Sequence, residues 1–116
     1  MRVLQIVPRL DVGGVETGTI DLARALQAQG HPAFVISAGG RLVRELDQAA
    51  IPHYTLPVDR KSWQALALVR QVRHIIERER IDIVHARSRV PAWIAYFATR
   101  RTQATFKLGI EFRDWT

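Results

Sequence analysis

The sequence predicts a single α/β domain: a parallel sheet of about five strands with helices on both faces, in strand order 3-2-1-4-5. Three observations predict it. Short apolar runs alternate with helical patterns along the chain. The first, second and fourth runs are almost continuously apolar, as strands buried on both faces are. The first run also breaks at Pro8 into a glycine turn, "PRLDVGGVET", that leads straight into a helical pattern. Strand, glycine turn and helix in succession is how parallel α/β proteins present backbone N–H groups to phosphate.

The elements follow in order. "RVLQIV" (2–7) is the first strand. Over 15–29, Val15, Leu22, Leu26 and small Ala25 make an apolar stripe that Gly30 stops. "PAFVISA" (32–38) is the second strand, and "RLVRELDQAA" (41–50) a short amphipathic helix. "HYTLPV" (53–58) is a weaker third strand. Over 63–80, Leu68, Val72, Ile75 and Ile76 fall on one face of a 3.6-residue period. "IDIVHA" (81–86) is the fourth strand. "PAWIAYFATRR" (91–101) opens with a proline suited to a first turn and closes on Arg100 and Arg101, which suit a helix C-terminus. "TFKLGIEF" (105–112) is the fifth strand. The whole is one half of a Rossmann-type fold.

At 116 residues the chain suffices for one domain with a core of its own. Cysteine is absent, which excludes disulfides and thiolate metal sites. The N-terminal run is too short and too interrupted for a signal peptide, and nothing approaches the roughly 18 apolar residues of a membrane span. A soluble, cytoplasmic domain is the expectation. The net charge of +6 favours anionic partners, and all the cations but Lys61 and Lys107 are arginine, the better bidentate phosphate ligand.

In such a sheet, ligands bind beyond the strand C-termini where the strand order reverses, between strands 1 and 4. Two segments converge there: the loop 8–15 and "HARSR" (85–89). Gly13 and Gly14 allow a ligand close to the backbone, and Glu16 falls in the first turn of the helix. A phosphate or sugar cradle and a plain strand–helix turn both fit these residues. His85 could orient a hydroxyl, act as a base, or satisfy buried backbone groups. Arg87 and Ser88 suit an anionic ligand and would equally suit a solvated loop. The dinucleotide fingerprint is missing, as is the P-loop lysine, which argues against a nicotinamide enzyme and a P-loop nucleotidase. His31, His53 and His74 show no metal-ligand spacing. Trp93, Tyr96 and Phe97 have the spacing of core residues; an interfacial membrane contact is the alternative. The arginines at 70, 73, 78 and 80 read as the wet face of the third helix.

Together these segments, with GGVE after strand 1, "ARALQAQGH" ending the first helix and "IDIVHARS" at strand 4, resemble the N-terminal half of a family 4 glycosyltransferase. The resemblance runs from residue 1 to about 101. It implies the acceptor-side Rossmann-like domain of a retaining, metal-independent GT-B enzyme, spanning residues 1–116. Gly13 and Gly14 would approach the diphosphate of a nucleotide-sugar of the UDP or GDP type, with Glu16 contributing. His85, Arg87 and Ser88 would line the acceptor side. No other cofactor is implied. Acceptors in the family include lipopolysaccharide intermediates, lipid-linked glycans and small sugars.

Two departures shape the expectation. The donor-binding C-terminal domain is absent, so the chain would be inactive alone and would need that domain from elsewhere. Truncation would also leave an apolar surface along the strand C-terminal edge, inviting self-association. The region after strand 5 lacks the family's histidine; Glu111, Arg113 and Asp114 stand in about its place. Peripheral contact with the inner face of an anionic membrane is left open. The rival class, a non-enzymatic anion- or nucleic-acid-binding domain, has only the net charge behind it.

Overall fold

A computed structural model describes residues 1–11, 14–59, 65–87 and 89–108. The chain runs β1 (Val3–Ile6), α1 (Gly14–Ala28), β2 (Ala33–Ser37), α2 (Val43–Gln48), β3 (His53–Thr55), α3 (Ala65–Arg78), β4 (Ile83–Ala86), α4 (Arg89–Thr99) and β5 (Thr105–Leu108). The five strands form one sheet in the order β3-β2-β1-β4-β5, every neighbouring pair parallel. This is the predicted topology.

Alternation along the strands builds two cores. Leu4 and Ile6 of β1, Phe34 and Ile36 of β2, and Val84 and Ala86 of β4 pack with Val72, Ile76, Ile94 and Ala98 of α3 and α4. On the opposite face Val7, Ala33 and Val35 pack with Ile20 and Ala23 of α1 and Leu46 of α2. Both faces are therefore covered, which is why β1 carries no exposed residue.

Helix endings share one geometry. After α1, Gly30 takes φ 86° and its N–H reaches the Gln27 carbonyl at 3.0 Å, while the His31 N–H reaches Leu26 at 2.8 Å. Ala50 after α2 and Arg80 after α3 adopt the same left-handed conformation without being glycine, at φ 58° and 53°. Each is followed by an isoleucine, Ile51 or Ile81, that is buried and bonded back to its helix. Burial of that next side chain holds a turn that glycine would have taken without strain.

Several expectations change. β3 is shorter than the 53–58 run, and α4 begins at Arg89, placing Pro91 within its first turn. Ala25 is exposed; Thr19 and Ala23 are buried on α1 instead. Arg73 is no solvated side chain: it donates to the carbonyls of Phe97 (2.6 Å) and Ala98 (3.2 Å), satisfying the C-terminus of α4 that Arg100 and Arg101 were expected to favour. Trp93 and Tyr96 are about half exposed, 48% and 49%, and form edge-on ring contacts with Phe97; Tyr96 also meets Phe106 of β5. The core reading of those aromatics holds only for Phe97, which leans on the α3–α4 core. At the strand C-terminal edge Val7, Leu10 and Val58 are buried, so among the described residues the large exposed apolar side chains are Met1, Trp93 and Tyr96. The end of the 105–112 run, and Glu111, Arg113 and Asp114, lie outside the described residues. Among the described residues no helix is long and apolar enough to cross a membrane.

The β2–β3 pair carries a titrating link. Ser37 Oγ lies 2.7 Å from His53 Nε2 and accepts the Gly39 N–H at 3.0 Å. A neutral imidazole shares one hydrogen with that hydroxyl, and either tautomer can make the bond, because the hydroxyl has one donor and two acceptor positions. Burial holds His53 below its ordinary 6.5, with Asp47 opposing. A histidine whose folded pKa is lowered binds its proton first in the unfolded chain. Stability is then full above pH 6.5 and declines as pH falls from there toward the folded value. Urea midpoints measured between about pH 7.5 and 5.5 should fall more steeply for the native sequence than for His53→Gln. Parallel curves would contradict the link.

Candidate functional site

The site is set by where β1 and β4 end. The Arg87 N–H donates to the Ile6 carbonyl at 3.1 Å, so the chain after β4 still follows β1 for one residue beyond the strand. Pro8, with no N–H, follows Val7 directly. From there the β1 loop is bonded to the β2 loop and the segment after β4 leads into α4, so the two segments leave the sheet in different directions, where such folds place a ligand crevice. Of the two segments that the sequence brings together, the described roots, Val7–Pro8 and Arg87, are thus neighbours.

On the β2 side, backbone pairing fixes the first loop. The Ala38 N–H donates to Pro8 (2.8 Å), the Leu10 N–H to Gly39 (2.8 Å), and the Leu42 N–H to Leu10 (2.7 Å). Leu10 is fully buried and anchors the loop in the α1–α2 core. Asp11 pairs with Arg9 at 2.9 Å and also accepts the Arg41 backbone N–H, and these contacts lower its pKa. Three residues later α1 starts at Gly14, with half-buried Glu16 in its first turn. A shallow hollow on α2, lined by Arg41, Leu42, Arg44, Glu45 and Gln48, lies beyond this loop.

On the β4 side, His85 stands in register with Gln5 of β1. Two residues apart on one strand line, His85 and Arg87 share the face that Gln5 occupies. All three are buried, with exposures of 2%, 5% and 0%. Arg87 Nε donates to Gln5 Oε1 at 3.0 Å, and Gln5 Nε2 donates to the Thr19 carbonyl at 3.0 Å. A chain of buried polar groups thus joins the end of β4 to α1. Burial lowers the Arg87 pKa to about 10, which still leaves it charged at neutral pH. A buried cation therefore sits just beyond the end of β4, where weak screening extends its reach.

Of the sequence-predicted residues, Gly14 and Glu16 lie at the start of α1, while His85 in β4 and Arg87 just beyond it are buried. Gly13 and Ser88 fall outside the described residues. Among the described residues no cluster of potential metal ligands occurs.

The Glycosyltransferase Family 4 profile matches residues 12–111. The chain belongs to this family. Its fold is similar to that of a glycosyltransferase from Rickettsia africae, with 41% identity and a TM-score of 0.81; the match covers 92% of this chain and 28% of that one. MurG from Acinetobacter baumannii is similar at 18% identity and TM-score 0.74, over 92% of this chain and 34% of its own. So is Anabaena HepE, solved with UDP and glucose, at 21% identity and TM-score 0.69, over 90% and 28%. These last two show the fold alone. No curated protein matches. The family 4 domain described here spans about 28% to 34% of the length of these three structures.

Sequence reasoning missed Gln5 and the Gly39–Gly40 pair. Both had signals. A lone polar residue inside the run "VLQIV" is costly unless bonded, and a second glycine pair follows a strand at the same sheet edge as Gly13 and Gly14.

Gln5→Leu should cost about 1–3 kcal/mol, because it removes one hydrogen bond from the Thr19 carbonyl and one from the buried Arg87 guanidinium. The shift in urea midpoint measures this. A loss below about 0.5 kcal/mol, the level of an ordinary surface change, would mean that water replaces the amide and the polar chain carries no stability.

Proposed function

We propose that this family 4 domain is the acceptor-side half of a retaining, metal-independent glycosyltransferase that moves a sugar from a nucleotide-sugar to a glycan or lipid-linked acceptor. The observation that carries the reading is the reversal of strand order between β1 and β4, where the start of α1 at Gly14 and the end of β4 with Arg87 lie on either side of the reversal. Gly13 and Gly14 would receive the donor diphosphate with their amides, and Glu16 would help hold the turn. His85, Arg87 and Ser88 would serve the acceptor side. Burial makes His85 and Arg87 act from the crevice floor, Arg87 by its field and His85 by orienting what lies above it.

Transfer from a nucleotide-sugar needs the leaving diphosphate held while an acceptor hydroxyl is aligned beside it. One domain supplies one wall of that cleft. The partner in this reading is a donor-binding domain, on a longer chain or a separate one, and the chain is inactive without it. The nucleotide-sugar is substrate, and no further cofactor enters. Because HepE was solved with UDP and glucose, UDP is the first donor fragment to try.

Trp93 and Tyr96 are half exposed on α4, and Arg100 and Arg101, both exposed, directly follow its last residue, Arg100 over the Phe97 ring. Aromatic rings beside cations suit the headgroup region of an anionic bilayer, which supports a lipid-linked acceptor and a place at the inner membrane face. Nucleic acid is disfavoured, since Arg2, Arg73, Arg78 and Arg87 are engaged in contacts within the fold.

The intact mass of the protein in its source cells, taken with what co-purifies, tests this reading. A longer chain carrying a second Rossmann-like domain, or a separate chain of that kind held in complex, is the expected result. A free 116-residue chain with no such partner would overturn it.

A further inference from the structure

We infer that Gly40, in the β2–α2 loop, is a positioning residue for the turn that leads into α1. The inference rests on the reading of that turn as the diphosphate contact. Gly39 and Gly40 both have positive φ, 108° and 144°, but their surroundings differ. A Cβ on Gly39 would have open space, as would one on Gly30. A Cβ on Gly40 would collide with the backbone carbon and oxygen of Leu10 and lie 2.9 Å from the Asp11 nitrogen. The absent side chain at 40 is what lets the two loops run against each other.

The β1 loop has little freedom to yield. Its inner side is the buried Leu10 side chain, and its backbone is tied at Ala38, Gly39 and Leu42. The far side of the turn is fixed too, since α1 is held by Ile20 and Ala23 in the core and by Gln5 on the Thr19 carbonyl. Only Val12 and Gly13 separate Asp11 from the start of α1. A side chain at 40 would push Leu10 and Asp11 outward, and so short a connection would pass the displacement to the Gly14 amide.

The neighbouring glycines supply the controls. Gly30→Ala and Gly39→Ala introduce left-handed strain without a collision; Gly40→Ala introduces both. Backbone amide NMR of the three variants and the native chain, followed by titration with inorganic pyrophosphate, separates them. Gly30→Ala and Gly39→Ala should lose stability yet keep the Asp11 and Gly14 resonances in place, Gly39→Ala touching only the Leu10 amide bonded to its carbonyl, with pyrophosphate affinity within about twofold. Gly40→Ala should move those resonances and weaken pyrophosphate by about tenfold or more at equal folded fraction.

Should Gly40→Ala not fold, Leu42→Pro serves instead. Leu42 has φ −83°, within reach of a proline ring, and the change deletes the N–H that holds the Leu10 carbonyl. It should move the same resonances in the same order. If Gly40→Ala matches Gly39→Ala, or if Leu42→Pro leaves the Gly14 resonance unmoved, the positioning role is wrong. A native chain whose Gly14 amide ignores pyrophosphate would refute the diphosphate reading itself, while the unliganded spectra still decide whether Gly40 positions the turn.

Discussion

Everything at the candidate site depends on β1 being the central strand, paired in parallel on both edges and covered on both faces. Its backbone groups are spent on β2 and β4, and its side chains on two cores and one amide. Such a strand cannot bend or slide. Where it ends, the chain must leave the sheet, and because α1 packs on one face and α4 on the other, the segments after β1 and β4 depart in opposite directions. The crevice is a consequence of that geometry before any residue in it is specified.

What the residues add is the means of holding the crevice walls still. On one wall the means is backbone: three amide–carbonyl bonds between the β1 and β2 loops, possible because Gly40 has no side chain to keep them apart. On the other it is a buried polar chain, Arg87 to Gln5 to the Thr19 carbonyl. Burying a guanidinium and an amide is unfavourable unless they are bonded, and the bonds they make join β4, β1 and α1 into one unit. The walls are therefore fixed through groups that have few alternatives, which suits a site that must present amides to a ligand without rearranging.

The fold was legible because its signals were periodic and redundant. Leu68, Val72, Ile75 and Ile76 mark α3 from sequence, and all four are buried. The strand order followed from parallel alternation and handedness, which leave few topologies. Less of the site was legible. Position along a strand says that His85 and Arg87 come near the crevice; it does not say that Arg87 turns inward to Gln5. Spacing cannot reveal a partner 82 residues away. Arg73 misled for a related reason: its period matched a solvated helix face, but α4 packs alongside and offers unbonded carbonyls there. The aromatics of α4 misled in the other direction. Helical spacing marks a shared face, but only the neighbouring elements decide whether that face is covered, and in this domain the ring contacts with Phe97 and Phe106 leave about half of Trp93 and Tyr96 exposed.

The central claim is that the crevice between the ends of β1 and β4 is where this family 4 domain meets a nucleoside diphosphate. Mapping the amide shifts that UDP induces along the chain tests it most directly. The account predicts shifts concentrated at Gly14, Glu16 and Arg87, on the two sides of the crevice. Shifts centred instead on the α2 hollow around Arg44 and Gln48, or spread evenly over the exposed arginines, would contradict it.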